Sequence, residues 1–200
     1  MKRLAEAILM CATAPACNKG MSKQTSLMAT IGQYPSELLS LFGGTTISDK
    51  EGAEILSCIK LNKAAAGSDG SVKDGKGGHA FCITDNEFTT QLWGFAPTVG
   101  SDREMSSLRA EHGGALGILL LLHPIYTHFE ADYHVKMTIF IDNAEVIRRG
   151  KKKVPKLGVK QHLVLDYGLS ATTERLQAEM ACNIQWEWVK GHQIQGFGSK

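Results

Sequence analysis

The spacing of apolar residues changes along this chain, and each change marks an element. Residues 1–45 mix Lys, Ser, Thr, Gly and Gln with scattered apolar positions and keep no period, which predicts an extension, partly helical or disordered. Ser48 and Glu51 have capping-box spacing. Behind them Ile55, Leu56 and Ile59 recur at helical spacing and predict a helix over about 49–61. From Ala64 the period shortens. Ala64 to Ser71 reads as a strand. Gly78 to Asp85 alternates, with Ala80, Cys82 and Thr84 on one side and Phe81 and Ile83 on the other. Glu87 to Ala96 is rich in aromatic and β-branched residues, and the Asp85-Asn86 link before it is a hairpin signal. Three antiparallel strands are expected.

The helical period then returns. Ser106 to Phe129 predicts a long helix with Leu108, Ala115, Leu119 and Leu122 in one stripe. Gly113 and Gly114 each cost about 1 kcal/mol inside a helix, so they imply close packing against another backbone. Pro124 should kink or end this helix. Met137-Thr138-Ile139-Phe140-Ile141 is a compact apolar run typical of a buried strand, here read as Lys136 to Asp142. A short helix is expected from Asn143 to Arg149. After a basic loop broken by Gly150, Pro155 and Gly158, a helix from Ser170 to Cys182 shows Thr173, Leu176, Gln177 and Met180 on one face. Ile184 to Lys190 closes as a strand. This order predicts an α/β domain built on a mixed five-stranded sheet, three antiparallel strands plus two parallel ones, with helices on both faces. Residues 1–62 read as an N-terminal extension and residues 63–200 as the domain.

Composition changes the picture in two places. The net charge of +2 says little until it is located. Arg148, Arg149, Lys151, Lys152, Lys153, Lys156 and Lys160 follow one another with no acidic residue between them, and the rest of the chain is net acidic. Such a local patch can grip a polyanion, although it is also what a solvated mobile loop looks like. The five cysteines are scattered and form no zinc-ligand set, which favours a reducing, intracellular setting in cytoplasm or nucleus. Glu6 interrupts the apolar run that a secretory leader would need, and Ala115 to Leu122 is too short an apolar run to cross a membrane.

The candidate chemistry lies in three acidic residues. Taken singly each has an ordinary reading: Asp69-Gly70 as a turn, Glu111 as a surface glutamate, Asp142 as a helix N-cap. Together they lie on elements whose ends meet in a mixed sheet. Carboxylates brought together repel and resist ionising until a cation neutralises them, and hard oxygen donors suit Mg²⁺, with Mn²⁺ as a substitute. Trp93, Trp186 and Trp188 read as core residues, and Cys82 and Cys182 as small buried apolar groups. His112 reads as a packed or solvent histidine rather than a ligand.

Ser68-Asp69-Gly70-Ser71, Ser107-Leu108-Arg109-Ala110-Glu111, Ile139-Phe140-Ile141-Asp142-Asn143 and Trp186-Glu187-Trp188-Val189-Lys190-Gly191-His192-Gln193 match, in order, the motifs of ribonuclease H domains. The resemblance covers about Ala64 to His192 and is nearest to the type fused to retrotransposon reverse transcriptases. It implies a ribonuclease H-like fold and an endonuclease that cuts the RNA strand of RNA/DNA hybrids with two metal ions about 4 Å apart. On that resemblance Asp69 bridges the ions, Glu111 and Asp142 each hold one, and His192 assists proton transfer or product release. The basic cluster from Arg148 to Lys160 resembles a protrusion that grips the hybrid, with Arg148, Arg149, Lys151, Lys152, Lys153 and Lys156 as the implied contacts. A reverse transcriptase polyprotein is the implied partner.

The resemblance also implies a fourth carboxylate and a closing helix after the histidine. Gln193 to Lys200 contain no acidic residue, and Glu187 is flanked by tryptophans on the closing strand. Weakened metal binding, or a domain truncated before its last helix, is therefore expected. The competing readings are a catalytically inactive RNA/DNA-binding module and a fragment of a retroelement polyprotein.

Overall fold

The first hairpin is set by two residues. In this computed structural model, strands Ala64–Lys73 (β2) and Lys76–Asp85 (β3) pair antiparallel down to Lys73 opposite Lys76. Asp74 and Gly75 between them have φ of 51° and 75°. Two consecutive positive φ values make a tight turn whose twist matches that of the strands, and Asp-Gly is among the pairs that adopt it readily. The structure describes residues 53–100, 103–128, 135–151, 166–180 and 182–190, with isolated positions between Ala29 and Ile47.

The second hairpin differs from the expected one. Strand Gln91–Pro97 (β4) starts four residues later than the pattern suggested, because residues 86–90 form the turn. The Asp85 carboxylate accepts the Thr89 amide at 2.8 Å, and the Asp85 amide donates to the Thr90 carbonyl. Side-chain capping of the turn outweighs the β propensity of Phe88, Thr89 and Thr90. A short strand, Thr46–Ile47 (β1), adds to the outer edge of β4.

Helix Ser107–His128 (α2) follows, its first turn capped by Ser106, whose Oγ accepts the Arg109 amide at 3.1 Å. It crosses the sheet in close contact. A Cβ at Gly114 would lie 2.8 Å from the Ser68 side chain and 3.0 Å from the Ala80 carbonyl oxygen, and one at Gly117 would meet the Phe81 ring at 2.6 Å. The glycines therefore set the helix–sheet distance. The helix continues past Pro124, where the pattern predicted a kink or an end. Leu119 to Leu122 before it and Ile125 and Tyr126 after it are all buried, and that packing holds the last turn in place.

Strand Val135–Ile141 (β5) returns parallel to β2, and strand Cys182–Trp188 (β6) pairs parallel to β5 over seven rungs. The sheet order is β1-β4-β3-β2-β5-β6. It contains the expected five strands, three antiparallel and two parallel, with β1 as an additional edge. Helices Ala53–Lys60 (α1), Ala144–Lys151 (α3) and Tyr167–Glu179 (α4) complete the described elements. Ile55, Ile59, Ala66, Phe81, Ile83, Met137, Ile139, Val146, Leu176 and Trp186 share one apolar core with α2. Residues before and after position 62 thus contribute to the same core. No described helix is long and apolar enough to cross a membrane.

Two tryptophans depart from their expected burial. Trp186 is buried, with its indole against Gly150 and its N–H donating to Gln177 Oε1 at 3.1 Å. Trp188 is 57% exposed and Trp93 is 39% exposed. On β4 the buried residues are Leu92, Gly94 and Ala96, so alternation turns Trp93 and Phe95 to the opposite face, where their rings stack. Cys82 and Cys182 are half-buried, and burial raises both thiols above the usual range.

Candidate metal centre

The β2–β5 ladder is short, and its end makes the site. The two strands pair only through Ala65–Gly67 and Thr138–Phe140. Beyond the Gly67–Phe140 rung no further pair forms, and Asp69 and Asp142 each lie two residues past it. Alternation puts both on the same face of the sheet. Side chains at the mouth of such a split can converge without a backbone hydrogen bond between their strands.

Glu111 reaches the split from α2. A Cβ on Gly70 would lie 2.3 Å from the Glu111 nitrogen and 2.4 Å from the Ala110 carbonyl carbon, so only glycine lets the helix come this near. Carboxylate oxygens of Asp69, Glu111 and Asp142 lie within 4.8 Å of one another. Asp69 is exposed, Asp142 half-buried and Glu111 buried. Burial, then the charge of Asp142 and hydrogen bonding to it, push the Glu111 carboxyl up to about 8; the Gly70 amide works the other way. One oxygen, Oε2, is buried with no hydrogen-bond partner.

The cap of α3 belongs to the next residue. Asn143 Oδ1 accepts the amides of Glu145 at 3.0 Å and Val146 at 3.3 Å. The ordinary reading of Asp142 as an N-cap therefore fails, and its carboxylate is left for the cluster. Sequence reasoning missed this division of labour. The adjacent Asp-Asn pair was the available signal, since both residues cap well and one suffices.

The remaining candidates are placed as follows. His112 is buried and shares a hydrogen bond with Thr173 Oγ1 at 3.1 Å, joining α2 to α4. Burial lowers it to about 4, so it is a neutral packed side chain. Arg148 and Arg149 both pair with Glu145, Arg149 at 2.9 Å, and the two guanidinium groups hold the Glu145 carboxyl down to about 2. Part of the positive patch is thus neutralised by an acid one helical turn upstream. Lys151 is exposed. His192, Lys152, Lys153 and Lys156 lie outside the described residues. Glu187 is exposed on β6 opposite Phe140 and is not among the converging carboxylates.

A buried ion pair behind the site also escaped the sequence. Arg109 Nε donates to Asp166 Oδ1 at 2.6 Å, with both side chains buried, and ties α2 to the start of α4. Its partners are 57 residues apart, and no spacing rule connects them. Three carboxylates, one of them held uncharged chiefly by burial and carrying an oxygen without a partner, form a set that suits a hard divalent cation.

No protein-family model matches the chain, and no curated protein matches it. Solved structures do. LC11-RNase H1 in complex with an RNA/DNA hybrid is 18% identical with a TM-score of 0.48, over 66% of this chain and 88% of that one. RNase H1 from the halophilic archaeon Halobacterium salinarum is 12% identical with a TM-score of 0.43, over 64% of this chain and 86% of that one. Prototype foamy virus protease-reverse transcriptase is 16% identical with a TM-score of 0.43, over 68% of this chain and 18% of that longer one. The solved structures that this chain is similar to include ribonuclease H1 enzymes and a retroviral protease-reverse transcriptase.

Proposed function

We propose that this chain is a metal-dependent endonuclease that hydrolyses the RNA strand of RNA/DNA hybrids, with Asp69, Glu111 and Asp142 holding Mg²⁺ or Mn²⁺. The observation that carries this reading is the convergence of the three carboxylates, from β2, α2 and β5, within 4.8 Å. The unpartnered Glu111 Oε2 and the hard, all-oxygen donor set fit a divalent ion. A pair of such ions supplies Lewis-acid activation of water and neutralises charge on a scissile phosphate.

The protein's own residues do the rest. Gly70 admits Glu111 to the split. Asn143 takes the capping role and frees Asp142. Asp69, the exposed member, faces an incoming phosphate. Without a cation the Glu111 carboxyl keeps its proton near neutral pH, so binding a cation there displaces a proton. Lys151, with the arginines and lysines of the basic segment, would contact hybrid phosphates and make binding fall steeply with salt. Recognition of the RNA strand requires contact with its 2′-hydroxyls. A reverse transcriptase polyprotein is the setting that the sequence resemblance suggests.

The test is cleavage of an end-labelled RNA/DNA hybrid in Mg²⁺ and in Mn²⁺, with Asp69→Asn as control. Cutting of the RNA strand that Asp69→Asn abolishes is the expected result. Salt-sensitive hybrid binding without cutting would instead identify a catalytically inactive binding module.

A further inference from the structure

The peptide at Asp142 stands where the sheet stops supporting it. Pairing with β2 ends at Phe140, and the last rung with β6 is Ile141 opposite Trp188. Two contacts extend the support. The Val189 amide donates to the Ile141 carbonyl at 3.0 Å, and the Trp188 indole N–H donates to the Asp142 carbonyl at 2.9 Å. Trp188 is a large apolar residue left 57% exposed at the end of an edge strand, and that bond gives its placement a use.

We propose that Trp188 is a positioning residue of the carboxylate centre, its indole N–H holding the backbone at Asp142 where the strand ladder no longer does. This rests on the metal-centre reading above. The free end of a strand is the part that yields most easily, and Asp142 stands one residue past the last rung with β6 and two past the last rung with β2. A side-chain donor from β6 replaces the missing rung and keeps the Asp142 carboxylate facing Asp69 and Glu111. Asn143 anchors the other side of the same residue through the α3 cap. The backbone of Asp142 is thus held from both flanks without either contact using its carboxylate.

The experiment uses the full chain with Trp188→Phe, which keeps a ring and removes the donor, Trp188→Ala, and Trp93→Phe as a control distant from the site. Calorimetric titration with Mn²⁺ reads the centre without turnover. One hydrogen bond is worth about a five-fold change in affinity. Trp188→Phe and Trp188→Ala should each weaken Mn²⁺ binding by about that factor, with Trp93→Phe unchanged. Cleavage should recover at high Mn²⁺, with KM for the hybrid unaffected. A metal-independent readout is the carbonyl carbon chemical shift of Asp142, which responds directly to the hydrogen bond that oxygen accepts; it should move in Trp188→Phe and stay in place in Trp93→Phe. An unchanged Asp142 carbonyl shift, or unchanged Mn²⁺ affinity in Trp188→Phe, overturns the proposal. Loss of hybrid affinity in Trp188→Ala alone, with Mn²⁺ affinity intact, also overturns it by making the indole a substrate contact. If wild type shows no Mn²⁺ binding sensitive to Asp69→Asn, the nuclease reading fails, and the Asp142 carbonyl shift still decides whether Trp188 anchors Asp142.

Discussion

Glu111→Gln should make the metal-free protein more stable, and only at higher pH. In the fold, burial and Asp142 raise the Glu111 carboxyl from its ordinary value of 4.5 to about 8. Below the ordinary value both folded and unfolded chains carry the proton, and the group is neutral for stability. Between that value and about 8 the unfolded chain releases the proton while the folded chain keeps it, so stability falls as pH rises. Above about 8 the full penalty is present, roughly 3–5 kcal/mol at about 1.4 kcal/mol for each tenfold change in proton affinity. Glutamine keeps the size and an oxygen for the Gly70 amide but has no charge to lose. For a chain of this size 1 kcal/mol moves Tm by about 2–4 °C, so Glu111→Gln should melt roughly 6–20 °C above wild type at pH near 8.5. The two should nearly coincide at pH near 5. The assay is thermal unfolding followed by circular dichroism in a chelator, across that pH range. Saturating Mg²⁺ should raise wild type, by about 2.7 kcal/mol at a hundred times Kd, and leave Glu111→Gln nearly unmoved. A difference between the two proteins that does not vary with pH would refute the reasoning.

Gly70→Ala should destabilise by more than 2 kcal/mol and abolish Mn²⁺ binding, since its methyl would meet the Ala110–Glu111 backbone rather than a movable side chain; calorimetry and melting check both. Asn143→Ala should lose about 1 kcal/mol in chemical denaturation, and Asn143→Asp should retain most of it by capping in the same way. Arg109→Met should cost about 3–5 kcal/mol because Asp166 is left buried and unpaired, and adding Asp166→Asn, which removes the charge and tolerates the left-handed backbone there (φ 63°), should restore part of the loss in a double-mutant cycle.

The elements were legible because their apolar periods were clear: Leu119 and Leu122 on α2, Met137 to Ile141 on β5, Leu176 and Met180 on α4. The errors arose where side chains acted on the backbone locally. Asp85 shortened β4 by capping a turn, and the Asp74-Gly75 turn is flanked by Lys73 and Lys76 rather than by the alternating apolar residues that usually mark a hairpin. Trp188 and Trp93 looked like core residues because hydrophobicity does not say which face of a strand is covered, nor where an edge strand outruns its helices. The three acids could be named from the motifs. Their separation could not, because it depends on where the β2–β5 ladder ends and on how near Gly70 lets α2 approach. The Arg109–Asp166 pair was out of reach, since nothing in a sequence links charges that meet only after folding.

The glycine seam of α2 works as a gauge as well as a packing surface. Gly113, Gly114 and Gly117 rest on His79, Ser68 and Phe81, and the same helix carries Glu111. A methyl added anywhere along the seam acts as a shim that lifts the helix and widens the opening between Glu111 and the two aspartates. Mg²⁺ holds its oxygens at about 2.0–2.1 Å and tolerates little distortion, whereas Ca²⁺ accepts about 2.3–2.6 Å in looser geometry. Shimmed variants should therefore lose the small ion before the large one, making ionic radius a dial that is turned from beneath the helix rather than at the ligands.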